Sequence, residues 1–461
     1  MSRRVSVLLT VMAQSDKTSH ESLKWSERNL LLFLHPFGEK GEKHSELYRF
    51  PRRRLLGYVI NPVIRWLRGR KGTVRKILFV NEGIQSCYFD ARGKHCYRVF
   101  AKRHIPNPRG LRERMISLLP LALRAQERFI IVSSEQNRSP HAPGEFPDDL
   151  KYDFMFFHNA NGKLMMANCE TILGGSGKLL KTTANPEYAR TMEKEYETIK
   201  RISKRLGKSG YIPEIDDRFE VDGRICLTEE YIHGQNLRCV FNNLARERDI
   251  AKACKLIDRL DEWYGTYFSS FKGEKRPLSS FYSSLFKVFS KLYSGEEDIL
   301  ATVGSMIRFL DRLSRSHPGV VPVDSHNDLW PGNFVERPEG LTAVDWERAT
   351  EDRAPMFDYY WLITSAALEY MAGRIGCPDY SHAFRLFLER EDAVCRHAHE
   401  RLELFLERMG LEKKTHPQFL LLFLMEWSVQ GYQVLGERTT MDKLAFNEFN
   451  KYRTILREND N

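Results

Sequence analysis

Residues 321–362 read VPVDSHNDLWPGNFVERPEGLTAVDWERATEDRAPMFDYYWL, and this stretch decides the fold. It carries His326, Asp328 and Asn333 at close spacing, and Asp345 at the end of the apolar run Leu341 to Val344. Val321 to Val323 reads as a short buried strand. His326 to Asn333 is then a loop that turns at Pro331-Gly332. Phe334-Val335 resumes an extended run, 336–340 reads as a hairpin turn, and Leu341 to Asp345 as the returning strand. Asn333 and Asp345 are thereby expected at neighbouring strand ends. Phosphoryl transfer needs a carboxylate to orient and deprotonate a hydroxyl, and oxygen ligands to hold Mg²⁺ on the nucleotide phosphates. Asp328 fits the first need. Asn333 and Asp345 fit the second, because Mg²⁺ prefers a few hard oxygens completed by water and phosphate. His326 is expected to support the loop by hydrogen bonding, since one adjacent carboxylate suffices as base.

The pattern H-x-D-L-x-x-x-N, an apolar run and then Asp345-Trp-Glu347 resembles the aminoglycoside phosphotransferase and choline kinase group. These are small-molecule kinases with the protein-kinase fold. Asn327 is similar to choline and ethanolamine kinases. Leu329-Trp330 and Gly332-Asn333 are similar to fructosamine kinases. Phe357-Asp358 matches a later Asp typical of the group, and the resemblance covers about residues 150 to 450. It implies an α+β, bilobal fold with a small β-rich N-lobe and a large, mostly helical C-lobe. It also implies ATP bound between the lobes, Mg²⁺, and a small-molecule hydroxyl as acceptor. Asp358 is implied as an anchor of the catalytic loop through its backbone or His326.

Upstream, Phe154 to His158 and Leu164 to Ala167 flank a turn, Asn159-Ala-Asn-Gly162, and read as a hairpin. Gly162 is a candidate to lie over the phosphates. Gly174-Gly-Ser-Gly-Lys178 imitates a Walker loop but fails its pattern: Leu179 stands where Ser or Thr belongs, and Ile172 where the first glycine does. It reads as a strand-to-strand turn. Leu179-Leu180-Lys181 resembles the family's third strand, whose lysine binds phosphate. Asn185 to Ser203 reads as a helix with Glu195 on the face of Ile199 and Ile202. An ion pair between Lys181 and Glu195 is the functional expectation. Two surface charges are the plain one, and Lys178 and Glu193 are the neighbours that would replace them. Asp217 to Tyr231 reads as a hairpin turning at Asp222-Gly223. Its end resembles the family's hinge, which implies adenine bonded to backbone at Glu230, Tyr231 and Ile232.

Beyond Gly234 the pattern is helical: 245–269, 279–292, 298–315, 357–371, 380–409, 417–435 and 441–457. Trp330, Tyr359, Tyr360, Trp361, Glu369, Tyr370, Glu426 and Trp427 are either an acceptor site for a cationic alcohol or aminosugar or helix core. Sugar adducts and lipid-linked or polysaccharide precursors stay open as acceptors.

The 461 residues, 42% of them hydrophobic, are enough for two or three domains. The expected division is 1–145, a small α/β or α+β domain of unread function; 146–235, the N-lobe; and 236–461, the C-lobe. In the first part, Ile77 to Val80 and Phe129 to Val132 read as strands and Leu111 to Arg128 as a helix kinked at Pro120. Ser133 to Asp149 reads as a linker. Val5 to Ala13 reads as a first strand rather than a signal segment. No apolar run approaches membrane-spanning length. Eight cysteines without a C-x-x-C pair argue against zinc and for a reducing, cytoplasmic compartment. The net charge of +10 gathers in Arg49 to Lys76, with ten basic residues and no acidic one. That stretch reads either as a solvated amphipathic helix or as a peripheral contact with anionic membrane. Nucleic acid is not the partner expected. Two other functional classes stand beside the small-molecule kinase. Intact Asp328, Asn333 and Asp345 speak against an inactive binding module. The lack of an Arg before Asp328, of D-F-G and of an activation segment speaks against a protein kinase.

Overall fold

Asp and Asn at loop ends, Gly at helix ends and apolar runs between them divide the chain into short strands first and long helices afterwards. The computed structural model describes residues 45–51, 73–82, 85–90, 96, 99–100, 103, 127–133, 154–158, 163–174, 177–183, 189–207, 210–221, 224–295, 297–376, 380–435 and 438–459. The expectations for Val5 to Ala13, for most of the basic stretch, for most of the helix at 111–128, for most of the linker and for Gly162 lie outside the described residues; residues 127, 128 and 133 belong to a strand.

The strands come in the order β1 (Ser45–Pro51), β2 (Thr73–Glu82), β3 (Gln85–Asp90), β4 (Glu127–Ser133), β5 (Phe154–His158), β6 (Lys163–Ala167), β7 (Lys178–Thr183), β8 (Ile215–Val221) and β9 (Arg224–Glu230). They form one nine-stranded sheet in the order β1-β4-β2-β3-β5-β6-β7-β9-β8. Antiparallel pairing of β3 with β5, Gln85 opposite His158, carries the sheet across residue 145, so strands before and after that point share one ladder. By compactness, 1–97, 121–189 and 217–228 form one unit, and 98–120, 190–216 and 229–461 the other.

Within the first unit, helix α1 (Cys169–Leu173) lies between β6 and β7. Asn168 caps it by accepting the Thr171 N–H at 2.6 Å, and Gly174 ends it at φ 122°. The glycine run therefore joins a helix to a strand, not two strands. The Asn168 cap converts the upstream residues into a turn of helix. Ile172 is fully buried, as are Leu164, Leu180 and Leu227.

The second unit is helical: α2 (Ala189–Leu206), α3 (Leu237–Glu247), α4 (Ile250–Ser269), α5 (Leu278–Leu292), α6 (Glu297–Ser316), α7 (Met356–Ile375), α8 (Tyr380–Leu388), α9 (Ala393–Arg408), α10 (His416–Leu435) and α11 (Thr440–Asn459). Two expected helices are each split. Arg248 at φ 56° ends α3, and the Asp249 side chain caps α4 through the Lys252 N–H at 3.0 Å. Arg390 at φ 53° and the Asp392 cap on the Val394 N–H, 2.8 Å, separate α8 from α9. Among the described residues no helix is long and apolar enough to cross a membrane. Helix α7 is buried on nearly every side from Met356 to Ala372 and packs against α3, α4, α8, α9 and α10. It is the axis of the hydrophobic core. A short β-structure sits on this core: β10 (Gln235–Asn236), β12 (Phe334–Arg337) and β13 (Gly340–Ala343) form one antiparallel sheet, and β11 (Val323–Ser325) pairs with β14 (Thr350–Arg353). Gly234 lets the chain enter β10, since a Cβ there would overlap the Glu336 carbonyl.

Candidate active site

Strand β11 ends at Ser325, so His326 begins the loop directly. The loop is held from below by Asp358 in the first turn of α7. Asp358 is fully buried, and its carboxylate accepts the His326 N–H at 2.5 Å and the Asn327 N–H at 2.9 Å. Asn327 takes the left-handed conformation, φ 61°, which Asn tolerates better than most residues. Its amide donates to the Arg348 carbonyl at 2.9 Å and to Thr350 Oγ1 at 2.6 Å, and it accepts from Ser325 Oγ at 3.0 Å. Gln430 of α10 donates to the Asn327 carbonyl. A residue held from four directions leaves Asp328 little freedom.

Asn333 closes the loop through a 3₁₀ turn, Pro331–Asn333. Its Nδ2 donates to the Asp328 carbonyl at 2.8 Å and to Asp328 Oδ2 at 3.2 Å. Both amide protons are thus directed to Asp328. Asn333 Oδ1 accepts no hydrogen bond among the described residues, and it is the atom left to meet a cation. The Asn333 carbonyl accepts the Val344 N–H at 2.8 Å, and Phe334 lies opposite Ala343. That pairing brings Asn333 beside the strand end that carries Asp345. Asp345 itself sits at φ 70° and starts a second 3₁₀ turn, Trp346–Arg348.

His326 is fully buried. Nε2 donates to the Val344 carbonyl, 3.0 Å away, while Nδ1 is buried without a hydrogen-bond partner among the described residues. Burial pushes the imidazole down to about 4, only partly offset by the Val344 bond and by Asp345 and Glu195, so the ring is neutral. Its ring lies against Trp346, centroids 4.5 Å apart. A neutral donor bonded to the residue before Asp345 fixes the strand end and is not placed as a base. Burial lifts the Asp328 carboxyl to about 7; Arg348 opposes this, and Asp345 and Glu347 add to it. A carboxylate poised near neutrality suits general-base work.

Glu195 of α2 is fully buried and joins Asp345 and Glu347, with carboxylate oxygens all within 4.8 Å of one another. Three like charges at that separation repel unless a cation or protons intervene. All the donors are hard oxygens, so the set fits Mg²⁺ or a similar divalent ion. Glu347 is the residue that sequence reasoning missed as a ligand; its signal was the Asp-x-Glu spacing after the apolar run. Helix α2 is also tied to the loop, because Arg201 pairs with Asp324 at 2.8 Å and with Glu351 at 2.9 Å.

Lys181 is buried on β7, in the first unit, and Glu195 is a buried residue of the second. Glu230 donates its N–H to the Glu214 carbonyl at 2.8 Å and turns its carboxylate to Arg337, 3.4 Å away. Tyr231 and Ile232, which follow, are buried. Of the aromatic residues read as either acceptor site or helix core, those of α7 and Trp427 are core. Tyr359, Tyr360 and Tyr370 are fully buried. Glu369 is taken by Arg238 (3.4 Å), Asn242 (3.3 Å) and Tyr380, and Glu426 by Arg353. Trp330 is half-buried, with the Arg238 guanidinium over its ring at 5.3 Å.

No protein-family model matches the chain, and no curated protein matches it. Solved structures do. The chain is similar to aminoglycoside phosphotransferase APH(2")-IIa in a ternary complex with streptomycin and ATP, at 10% identity, 67% of this chain, 91% of that one and a TM-score of 0.36. It is similar to ADP-bound aminoglycoside phosphotransferase APH(2'')-Ib at 12% identity, 66% and 92% coverage and a TM-score of 0.36. The kinase domain of Mycobacterium tuberculosis PknI matches at 16% identity, 56% and 91% coverage and a TM-score of 0.29.

Proposed function

We propose that this chain is an ATP-dependent phosphotransferase that moves the γ-phosphate to the hydroxyl of a small molecule, on a protein-kinase-like fold. The observation that carries the reading is the amide of Asn333. Its Nδ2 donates twice to Asp328, and the residue's main-chain carbonyl is bonded by the Val344 N–H, next to Asp345. One residue can thereby align a base and face a cation.

In this reading Asp328 Oδ1, which accepts no hydrogen bond among the described residues, receives the acceptor hydroxyl. Asp328 takes its proton as the new oxygen–phosphorus bond forms and ADP departs. Asn333 and Asp345 would hold Mg²⁺, with Glu347 and Glu195 close by. When bound, the ion neutralises charge on the phosphate oxygens. His326 keeps Val344 and Asp345 in register, and Asp358 keeps Asp328 aimed. Lys181 on β7 supplies the phosphate-binding cation, and the backbone after Glu230 the adenine contact. The test is the variant Asp328→Asn. It should lose at least about 100-fold in phosphoryl transfer, with Mg·ATP affinity unchanged in calorimetry. Turnover at the wild-type rate would remove the base.

A further inference from the structure

The acceptor can be narrowed by following the charges near Asp328 that nothing among the described residues satisfies. The acids expected to attract a cationic acceptor are already occupied. Glu369 serves Arg238, Asn242 and Tyr380, Glu426 serves Arg353, and the Trp330 face is covered by Arg238. Asp345 and Glu347 belong to the carboxylate cluster. The arginines around the loop are likewise paired: Arg201 with Asp324 and Glu351, Arg238 with Glu369, Arg353 with Glu426, and Arg337 with Glu230 and Glu339.

Among the described residues around the loop, Arg348 is the exception. It is half-buried, and its main chain is anchored next to the base, its carbonyl bonded by Asn327 Nδ2 at 2.9 Å. Its guanidinium has no carboxylate oxygen within 4.0 Å and no hydrogen bond among the described residues. A partly desolvated guanidinium is costly unless it meets an anion, and its planar fork matches carboxylate or phosphate oxygens.

We infer that Arg348 selects the acceptor, and that the acceptor is an anionic alcohol whose hydroxyl, held by Asp328, lies close to a phosphate or carboxylate held by Arg348. The inference rests on the phosphotransferase reading and adds the substrate class to it. A hydroxyl on Asp328 puts its neighbouring substituents within reach of the loop that carries Arg348. A cationic substituent there would meet like charge.

The test is binding to the full chain loaded with Mg²⁺ and a non-hydrolysable ATP analogue, followed by ligand-observed NMR. The probes are glycerol 3-phosphate, D-glycerate, glycerol, choline and kanamycin. The expected result is binding of one or both anions. Arg348→Gln should weaken that binding by about 10- to 100-fold, the range for a charged hydrogen bond. Arg348→Lys should be intermediate. Melting temperature and nucleotide affinity should hold in both variants, which a merely structural role would not allow. Binding of the phosphate probe alone, or of glycerate alone, would name the anion. Preference for choline or kanamycin, equal anion binding by Arg348→Gln, or no binding of any probe would overturn the inference. So would a loss of nucleotide affinity alone, since the guanidinium would then serve the γ-phosphate. Failure of the wild-type chain to bind Mg·ATP would instead remove the phosphotransferase reading itself.

Discussion

Replacing Asp358 by alanine tests how the loop is held. The carboxylate is fully buried and accepts two main-chain N–H groups, from His326 at 2.5 Å and Asn327 at 2.9 Å. Hydrogen bonds to a charged group contribute about 1.5–2.5 kcal/mol each, and both donors would be stranded, so the loss is about 3–5 kcal/mol. That is a large part of the roughly 5–15 kcal/mol available to a folded domain. The cost also has a pH signature. Burial raises this carboxyl from 3.8 to about 6, against the pull of the two backbone bonds. A group whose folded value is raised contributes stability at low pH and loses it as pH rises through about 6. The wild-type advantage over Asp358→Ala should therefore be about 1.4 kcal/mol larger at pH 5 than at pH 8. Subtracting the two proteins cancels every other titration. Urea unfolding at both pH values measures it, and Asp358→Asn, which cannot titrate, should show the same gap should the alanine variant not fold. A cost below about 1 kcal/mol, or one equal at the two pH values, would refute the reasoning.

Three further outcomes follow from the same geometry. Glu426→Leu strands the Arg353 guanidinium and should cost about 3 kcal/mol in urea unfolding, most of it recovered by adding Arg353→Met. His399 and His416 form a buried chain with Tyr360: His399 Nε2 donates to the Phe387 carbonyl at 2.9 Å, His416 Nε2 to His399 Nδ1 at 2.8 Å, and Tyr360 Oη to His416 Nδ1 at 2.9 Å. Every ring must be neutral for this to close, and burial, with Arg390 adding to it, lowers His399 to about 4. These depressed values mean stability present above pH 6.5 and lost as pH falls towards 4; His399→Leu should flatten that acid slope in thermal melts. Gly234→Ala would drive a Cβ into the Glu336 carbonyl and should destabilise by about 2 kcal/mol or more, read as a lowered melting temperature.

The loop was legible because its demands are local. A turn at Pro331-Gly332, polar residues at loop positions and an apolar run into Asp345 are written in adjacent residues, and they also put Asn333 and Asp345 at neighbouring strand ends. Strand β14 was not read, because Thr-Glu-Asp-Arg is polar and partly exposed and shows no alternation. The helix breaks at Arg248 and Arg390 escaped for a different reason. Arginine in the left-handed conformation carries no composition signal, and only the caps Asp249 and Asp392 mark the restart. The clustering of Glu195 and Glu347 with Asp345 depends on where α2 packs, which periodicity cannot supply. The aromatic residues of α7 were ambiguous because a helix buried on all sides looks, in sequence, like one lining a site.

The central claim is that Asn333 and Asp345 hold one divalent ion on the nucleotide while Asp328 stays free for the acceptor. It is tested most directly by Mn²⁺·ATP affinity, measured by electron paramagnetic resonance for Asn333→Ala, Asp345→Asn, their double variant and Asp328→Asn. Each ligand variant should weaken binding by about 100-fold, and the double by less than the product, because both act on the same ion. Asp328→Asn should bind within about threefold of wild type, since the proposal assigns that residue to the hydroxyl. Wild-type affinity in both ligand variants would contradict the account.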